Sequence, residues 1–139
     1  MSRHPSRRAW LARALLGTGL AVAGLPGTAL AQSAFTTSLD QARQEHEAGT
    51  ALLVDIREPD EHAKGVAPGA QLLPMRQLGA RLAELPRDRP VLLICNTQNR
   101  SRATLNALRE RGWTNLRYVD GGMSEWVRRG WKTVRPPTH

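Results

Sequence analysis

Short aliphatic runs alternate along the chain with segments whose leucine and alanine residues recur at helical spacing. The most apolar run, residues 91–94, has four consecutive aliphatic side chains. A strand that is apolar at every position is typical of the centre of a parallel sheet, because both of its faces are covered. We predict further strands over residues 51–55 and 116–119, and a short strand over residues 70–73 that stops at Pro74.

The intervening segments carry helix signals at their ends. The first predicted helix is capped by Ser38 or Thr37, has Gln41 in the position of a capping box and stops at Gly49. Four more helices are predicted: a short one after residues 57–61 that ends at Gly65, then residues 75–85, 102–111 and 123–129. Strands and helices that alternate in this way predict an α/β fold, an open parallel sheet with helices on both faces.

Length and charge narrow the possible functions. The chain has 139 residues, which is room for one domain, predicted here over residues 32–139. Its formal charge of +8 falls by four to +4 without residues 1–31, which contain four arginines and no acidic residue. That balance suits a small anionic substrate, and the chain lacks the lysine and arginine runs of a nucleic-acid binder.

The amino terminus has the three parts of an export signal. A basic head and an apolar stretch precede Ala29-Leu30-Ala31, which has the small-x-small form of a cleavage site. Arg7 and Arg8, followed by an aromatic residue and a leucine, resemble the twin-arginine motif; a general secretory signal with two arginines is the alternative. We predict a signal peptide over residues 1–31, cleavage near Ala31 and a periplasmic protein without a stable membrane anchor.

The single cysteine, Cys95, directly follows the most apolar strand, and a helical segment begins a few residues later. Unpaired N–H groups and the positive end of the helix dipole favour a thiolate at such a position. Ligands of open parallel sheets bind at the carboxyl ends of the strands, where Asp55 also lies. One cysteine excludes an internal disulfide, and the four histidines are scattered, so we predict no metal cofactor.

Three motifs in this order resemble those of a single-domain rhodanese over residues 35–134. Residues 54–62, followed by Gly65 and 68–70, resemble the family's first signature. Residues 95–101, with the sequence Cys-Asn-Thr-Gln-Asn-Arg-Ser, resemble its active loop, usually Cys-x-x-Gly-x-Arg-Ser. Residues 121–126 resemble its closing Gly-Gly-x-x-x-Trp element, which we interpret as turn and packing.

The resemblance implies a sulfurtransferase with a rhodanese-like fold, in which Cys95 accepts sulfur as a persulfide. The residues from Asn96 to Ser101 would bind the substrate; their backbone N–H groups would form an anion nest, and Ser101 would cap the next helix. Arg100 would bind an oxyanion donor such as thiosulfate, and the acceptor would be cyanide or a thiol. The loop set also includes Thr97, Gln98 and Asn99. We interpret Asp55, Arg57 and Glu61 as an ion-pair network that supports the loops rather than as catalytic groups. The resemblance further implies that no metal or organic cofactor is needed.

Gln98 stands where the family usually has glycine. If that position requires a positive φ, the side chain costs on the order of 1 kcal/mol. A second hypothesis is therefore a rhodanese-fold binding or sulfur-carrier module with little turnover, which would serve a periplasmic partner protein.

A phosphatase is a related alternative that the loop length disfavours. Tyrosine-type phosphatases place five residues between the cysteine and the arginine, so that the loop encircles a phosphate. Cys95 and Arg100 enclose only four residues. A substrate group of the size of a sulfur atom fits this shorter loop better than a phosphate does.

Overall fold

A computed structural model describes residues 34–137, so the predicted signal peptide lies outside the described residues. Within these residues, five strands form one sheet: β1 (Thr36–Thr37), β2 (Leu52–Asp55), β3 (Gln71–Leu72), β4 (Val91–Ile94) and β5 (Leu116–Val119). Their order is β1-β5-β4-β2-β3, and every neighbouring pair is parallel. The predicted open parallel sheet is confirmed, with the most apolar strand at its centre.

In the part of the chain that the structure describes, each strand is followed by an α-helix: α1 (Leu39–Glu47), α2 (Pro59–His62), α3 (Met75–Leu78), α4 (Asn99–Glu110) and α5 (Gly122–Arg128). A 3-10 turn, Leu82–Glu84, follows α3. The cap of α1 is as predicted, because Ser38 Oγ accepts a hydrogen bond from the Gln41 N–H at 3.2 Å. Within residues 34–137, no helix combines the length and the apolar character needed to cross a membrane.

The sheet divides the core into two layers, because successive strand residues point to opposite faces. One layer joins Leu93 and Cys95 of the central segment to Leu105 and Leu108 of α4. The other joins Leu92, Ile94 and Val119 to residues of α1 and α5. The helices therefore cover both faces of the sheet, and α4 and α5 lie on opposite sides of it.

Two details of the sequence-based prediction are wrong. The predicted helix over residues 75–85 is split into α3 and the 3-10 turn, with Gly79 at the end of α3. Leu78 and Leu85 are both buried, whereas Leu82 stays partly exposed, so tertiary packing overrides the helical spacing of these leucines. Strand β1 was not predicted, because two residues carry no measurable periodicity; pairing with β5 defines it.

Candidate active site at the Cys95 loop

The Cys95 loop, defined here as residues 95–101, connects the carboxyl end of β4 to the first turn of α4. Cys95 is 1% exposed and packs in the same core layer as Leu93 and Leu105. The sulfur nevertheless has polar neighbours, since the backbone N and the Oγ of Ser101 both lie 3.4 Å from Cys95 Sγ. The thiol thus lies at the boundary between the apolar core and the amino end of a helix.

The Ser101 hydroxyl has two partners and one proton. Its Oγ is 3.1 Å from the carbonyl oxygen of Gln98, to which it donates, and 3.4 Å from Cys95 Sγ. While it donates to that carbonyl, it can only accept a hydrogen bond from the sulfur. A thiolate has no proton to donate, so ionisation of Cys95 leaves the Ser101 N–H as its donor unless the hydroxyl turns toward the sulfur.

The backbone of the loop is oriented by the start of α5. The N–H of Met123 donates to the Cys95 carbonyl at 2.8 Å, and the N–H of Ser124 donates to the Asn96 carbonyl at 2.9 Å. In a planar trans peptide the N–H points opposite to the C=O, so the amides of Asn96 and Thr97 point away from α5. Among the hydrogen bonds formed within residues 34–137, none is donated by an amide of residues 96–100.

The structure corrects two expectations for the loop. Gln98 precedes α4 with a φ of −147° and a ψ of −5°. This φ is negative, so the side chain causes none of the strain that a glycine-specific conformation would impose. Ser101 is the third residue of α4 rather than its cap, because the helix begins at Asn99, earlier than predicted. The apolar pattern from which we predicted the helix starts only at Ala103, which explains the misplaced boundary.

Arg100 forms a two-pronged ion pair with Glu61 of α2. Nη1 and Nη2 of Arg100 each lie 2.7 Å from a carboxylate oxygen of Glu61. The hydrogen bonds from Arg100 lower the pKa of Glu61 to about 2 against the opposing effect of burial, and the same contact raises the pKa of Arg100. Arg100, which the resemblance predicts to bind the sulfur donor, is therefore neutralised by the Glu61 carboxylate.

Asp55 and Arg57 form a second ion pair, which is buried. Arg57 donates to both oxygens of Asp55, with the shortest contact at 2.7 Å, and to the carbonyl of Gly65 at 2.8 Å. His62 Nε2 lies 3.3 Å from an Asp55 oxygen. Burial alone would raise the pKa of Asp55, but the contacts of His62 and Arg57 outweigh it and hold the pKa below its usual value.

The other predicted loop residues offer mainly their backbone at the site. Asn96, Thr97 and Asn99 are exposed, and no hydrogen bond of their side chains is formed within residues 34–137.

Sequence reasoning assigned no role to His62, and it treated Gly122 as a turn. Within the described part of the chain, no three His, Cys, Asp or Glu side chains are grouped closely enough to hold a metal ion.

Comparison with known proteins places this site in a family. Residues 38–129 match the family described as the rhodanese-like domain. The chain belongs to the rhodanese-like domain family. It is 39% identical over 85 residues to a sulfurtransferase of Allochromatium vinosum, covering 61% of this chain and 79% of that protein.

Solved structures of rhodanese-like proteins share the fold. A rhodanese-related protein of Thermoplasma volcanium has a TM-score of 0.66 and 25% identity, covering 73% of this chain and 99% of that one. A human single-domain sulfurtransferase has a TM-score of 0.59 and 26% identity, covering 67% of this chain and 95% of that one. The resemblance drawn from the three motifs is thus confirmed at the level of the rhodanese-like domain.

Proposed function

We propose that this protein is a sulfurtransferase that passes sulfane sulfur through a persulfide on Cys95. The observation that carries the proposal is the surroundings of the Cys95 sulfur. The sulfur lies 3.4 Å from the backbone N of Ser101, and the amides of residues 96–100, which follow Cys95 in the loop, have no acceptor in residues 34–137. Such amides stabilise negative charge on a thiolate or on an anionic donor. The rhodanese-like family and the sulfurtransferase of A. vinosum support the same reaction class.

The proposed reaction consists of two displacements at sulfur. In the first, the Cys95 thiolate attacks the outer sulfur of a donor such as thiosulfate; the donor's S–S bond breaks, and sulfite leaves with the electron pair. In the second, cyanide or a thiolate attacks the outer sulfur of the Cys95 persulfide. The persulfide S–S bond breaks, and its electron pair returns to Cys95 as the thiolate. Neither step requires a metal or an organic cofactor.

A mass measurement tests the first step directly. The purified protein is incubated with thiosulfate, and the expected result is a mass gain of one sulfur atom that a reducing agent removes. Cys95→Ser is the control and should gain nothing. If the wild-type protein neither gains sulfur from thiosulfate and small persulfides nor forms thiocyanate from cyanide, the proposal is wrong.

A carrier or binding module remains the second candidate, and the Glu61–Arg100 pair favours it. With both prongs of Arg100 held at 2.7 Å by a carboxylate, an oxyanion donor must compete with Glu61 for the guanidinium. Because Gln98 has a negative φ, replacing it by glycine relieves no strain and is not a decisive test. A Cys95→Ser protein that still supports the cellular role would favour binding over sulfur transfer.

We also propose that the protein acts in the periplasm, after export through the signal at residues 1–31. The basis is the sequence alone: an arginine pair, an apolar stretch and a small-x-small site. Cell fractionation of the full chain tests the location. Replacing Arg7 and Arg8 by lysine should retain the protein in the cytoplasm if the twin-arginine route is used, and should change little for a general secretory signal.

A further inference from the structure

We infer that Gly122 is a positioning residue, which sets the direction of the amide groups in the Cys95 loop. The inference rests on the proposed function of Cys95. It assigns a task to the Gly-Gly-x-x-x-Trp element beyond the turn and packing that the sequence indicates.

The loop carbonyls approach Gly122 too closely for any side chain. A Cβ atom at Gly122 would lie 2.2 Å from the Thr97 carbonyl oxygen and 2.5 Å from the carbonyl oxygens of Asn96 and Cys95. All three atoms belong to the backbone, so no side-chain rotation can relieve the overlap. Gly122 also has a φ of +53°, which favours glycine. Three consecutive loop peptides are therefore packed against one glycine.

The packing of the three loop carbonyls against Gly122 determines which side of the loop carries the N–H donors. Carbonyl groups of Cys95, Asn96 and Thr97 face α5, and two of them accept hydrogen bonds from the N–H groups of Met123 and Ser124. The N–H of each following residue therefore points to the opposite side. Cys95 belongs to the core layer of α4, whereas α5 covers the other face of the sheet. The loop amides thus face the side on which the Cys95 sulfur lies.

A side chain at position 122 would push the three carbonyls away and turn the peptides. Rotation of a peptide plane moves its N–H together with its C=O, so the N–H groups of the loop would no longer face the side on which the Cys95 sulfur lies. Loss of one aligned donor from an oxyanion site typically lowers a rate by about 100-fold or more. We expect Gly122→Ala to slow sulfur loading from thiosulfate by at least about tenfold, a conservative value because Ser101 keeps its own N–H near the sulfur.

Gly130 provides a matched control. It has a φ of +70°, and a Cβ placed there meets no atom within 4 Å. Gly130→Ala therefore imposes left-handed strain without touching the loop. The thiolate absorbance of the single cysteine is recorded against pH in both variants, with Cys95→Ser as the blank. For Gly122→Ala, but not for Gly130→Ala, the half-maximal absorbance should move to higher pH and sulfur loading should slow.

A second pair of variants covers the case in which Gly122→Ala does not fold. Ser124 is exposed and lies in the first turn of α5, where proline is tolerated. Ser124→Pro removes the N–H that holds the Asn96 carbonyl, and Ser124→Ala keeps it. We expect the proline variant to shift the absorbance profile in the same direction relative to the alanine variant.

The outcomes separate this inference from the proposed function. If the wild-type protein never gains sulfur but the absorbance profile of Gly122→Ala is shifted, the positioning role is supported and the sulfurtransferase is rejected. Sulfur loading by the wild type, with identical profiles and rates for Gly122→Ala and Gly130→Ala, would overturn the positioning role alone. If Gly122→Ala is unfolded, equal profiles of Ser124→Pro and Ser124→Ala overturn it.

Discussion

Two ion pairs involve residues 55–61, and they differ in burial and in the sequence distance between the two partners. Asp55 and Arg57 have side chains that are 0% and 7% exposed, and they lie two residues apart. Glu61 and Arg100 are 24% and 32% exposed, and 39 positions separate them along the chain. The first pair braces one loop from within, whereas the second connects α2 to the Cys95 loop.

The comparison indicates that the buried pair matters mainly for stability and the more exposed pair mainly for function. Buried charges have lost their water, so removal of one partner leaves the other without compensation. Partly exposed charges can recover water, and their pairing contributes little to stability. The Glu61–Arg100 pair instead sets the net charge that an incoming anion meets beside Cys95. We therefore expect mutations of the first pair to affect folding and mutations of the second to affect the choice of sulfur donor.

The largest effect is expected for Asp55→Asn. The Arg57 guanidinium would remain buried without a counter-ion, and we expect a loss of about 3–5 kcal/mol in the free energy of unfolding. Urea denaturation measures it. Asp60→Asn, at an exposed position in α2, is the control and should change the stability little. A loss no greater than that of the control would contradict the contrast between the two pairs.

A smaller effect on stability, but a clear one on turnover, is expected for Glu61→Gln. Removing the carboxylate should lower the free energy of unfolding by about 0.5–1 kcal/mol. It also frees Arg100 for an oxyanion, so sulfur loading from thiosulfate should become about two- to tenfold faster, the effect of roughly 1 kcal/mol near a protein surface.

A neutral donor supplies the control for that experiment. The rate with an uncharged sulfur donor should change little in Glu61→Gln, because Arg100 has no anion to bind. Arg100→Gln should slow the reaction with thiosulfate. Equal responses to charged and uncharged donors would show that Glu61 acts on the loop rather than on the charge of the donor.

The Glu61 contribution should disappear in acid. Its pKa is lowered from 4.5 to about 2 in the folded protein. A lowered folded-state pKa means that the stabilisation is complete above the unfolded value and is lost as the pH falls from 4.5 toward 2. The stability difference between wild type and Glu61→Gln should therefore narrow across this window, as followed by urea denaturation at each pH. A difference that stays constant would contradict the ion-pair account.

The smallest effect is expected for an exposed pair that contains no residue of the Cys95 loop. Arg81 and Glu84 contact each other at 2.5 Å, and both side chains are substantially exposed. Glu84→Gln should leave the unfolding midpoint and the rate of sulfur loading unchanged within error, because water replaces the lost partner. A measurable loss of stability would show that exposure alone does not rank the ion pairs of this protein.

Local pattern was sufficient for four of the five strands of the sheet and for the position of the thiol. The apolar run at residues 91–94 predicted a central parallel strand, and the order of elements placed Cys95 and Asp55 at the same edge. These features follow from the alternation of strands and helices along the chain and from the need of buried backbone groups to form hydrogen bonds. Both depend on residues that are neighbours in the sequence. The three motifs were equally local, and they identified the rhodanese-like family.

Tertiary structure alone decided the contacts made between distant segments. The pairing of Glu61 with Arg100, the negative φ of Gln98 and the approach of three carbonyls to Gly122 depend on where α2 and α5 lie against the loop. The helical spacing of residues 75–85 was overruled in the same way. Periodicity records which face of an element is apolar; it carries no information about which backbone atoms of another element that face will meet.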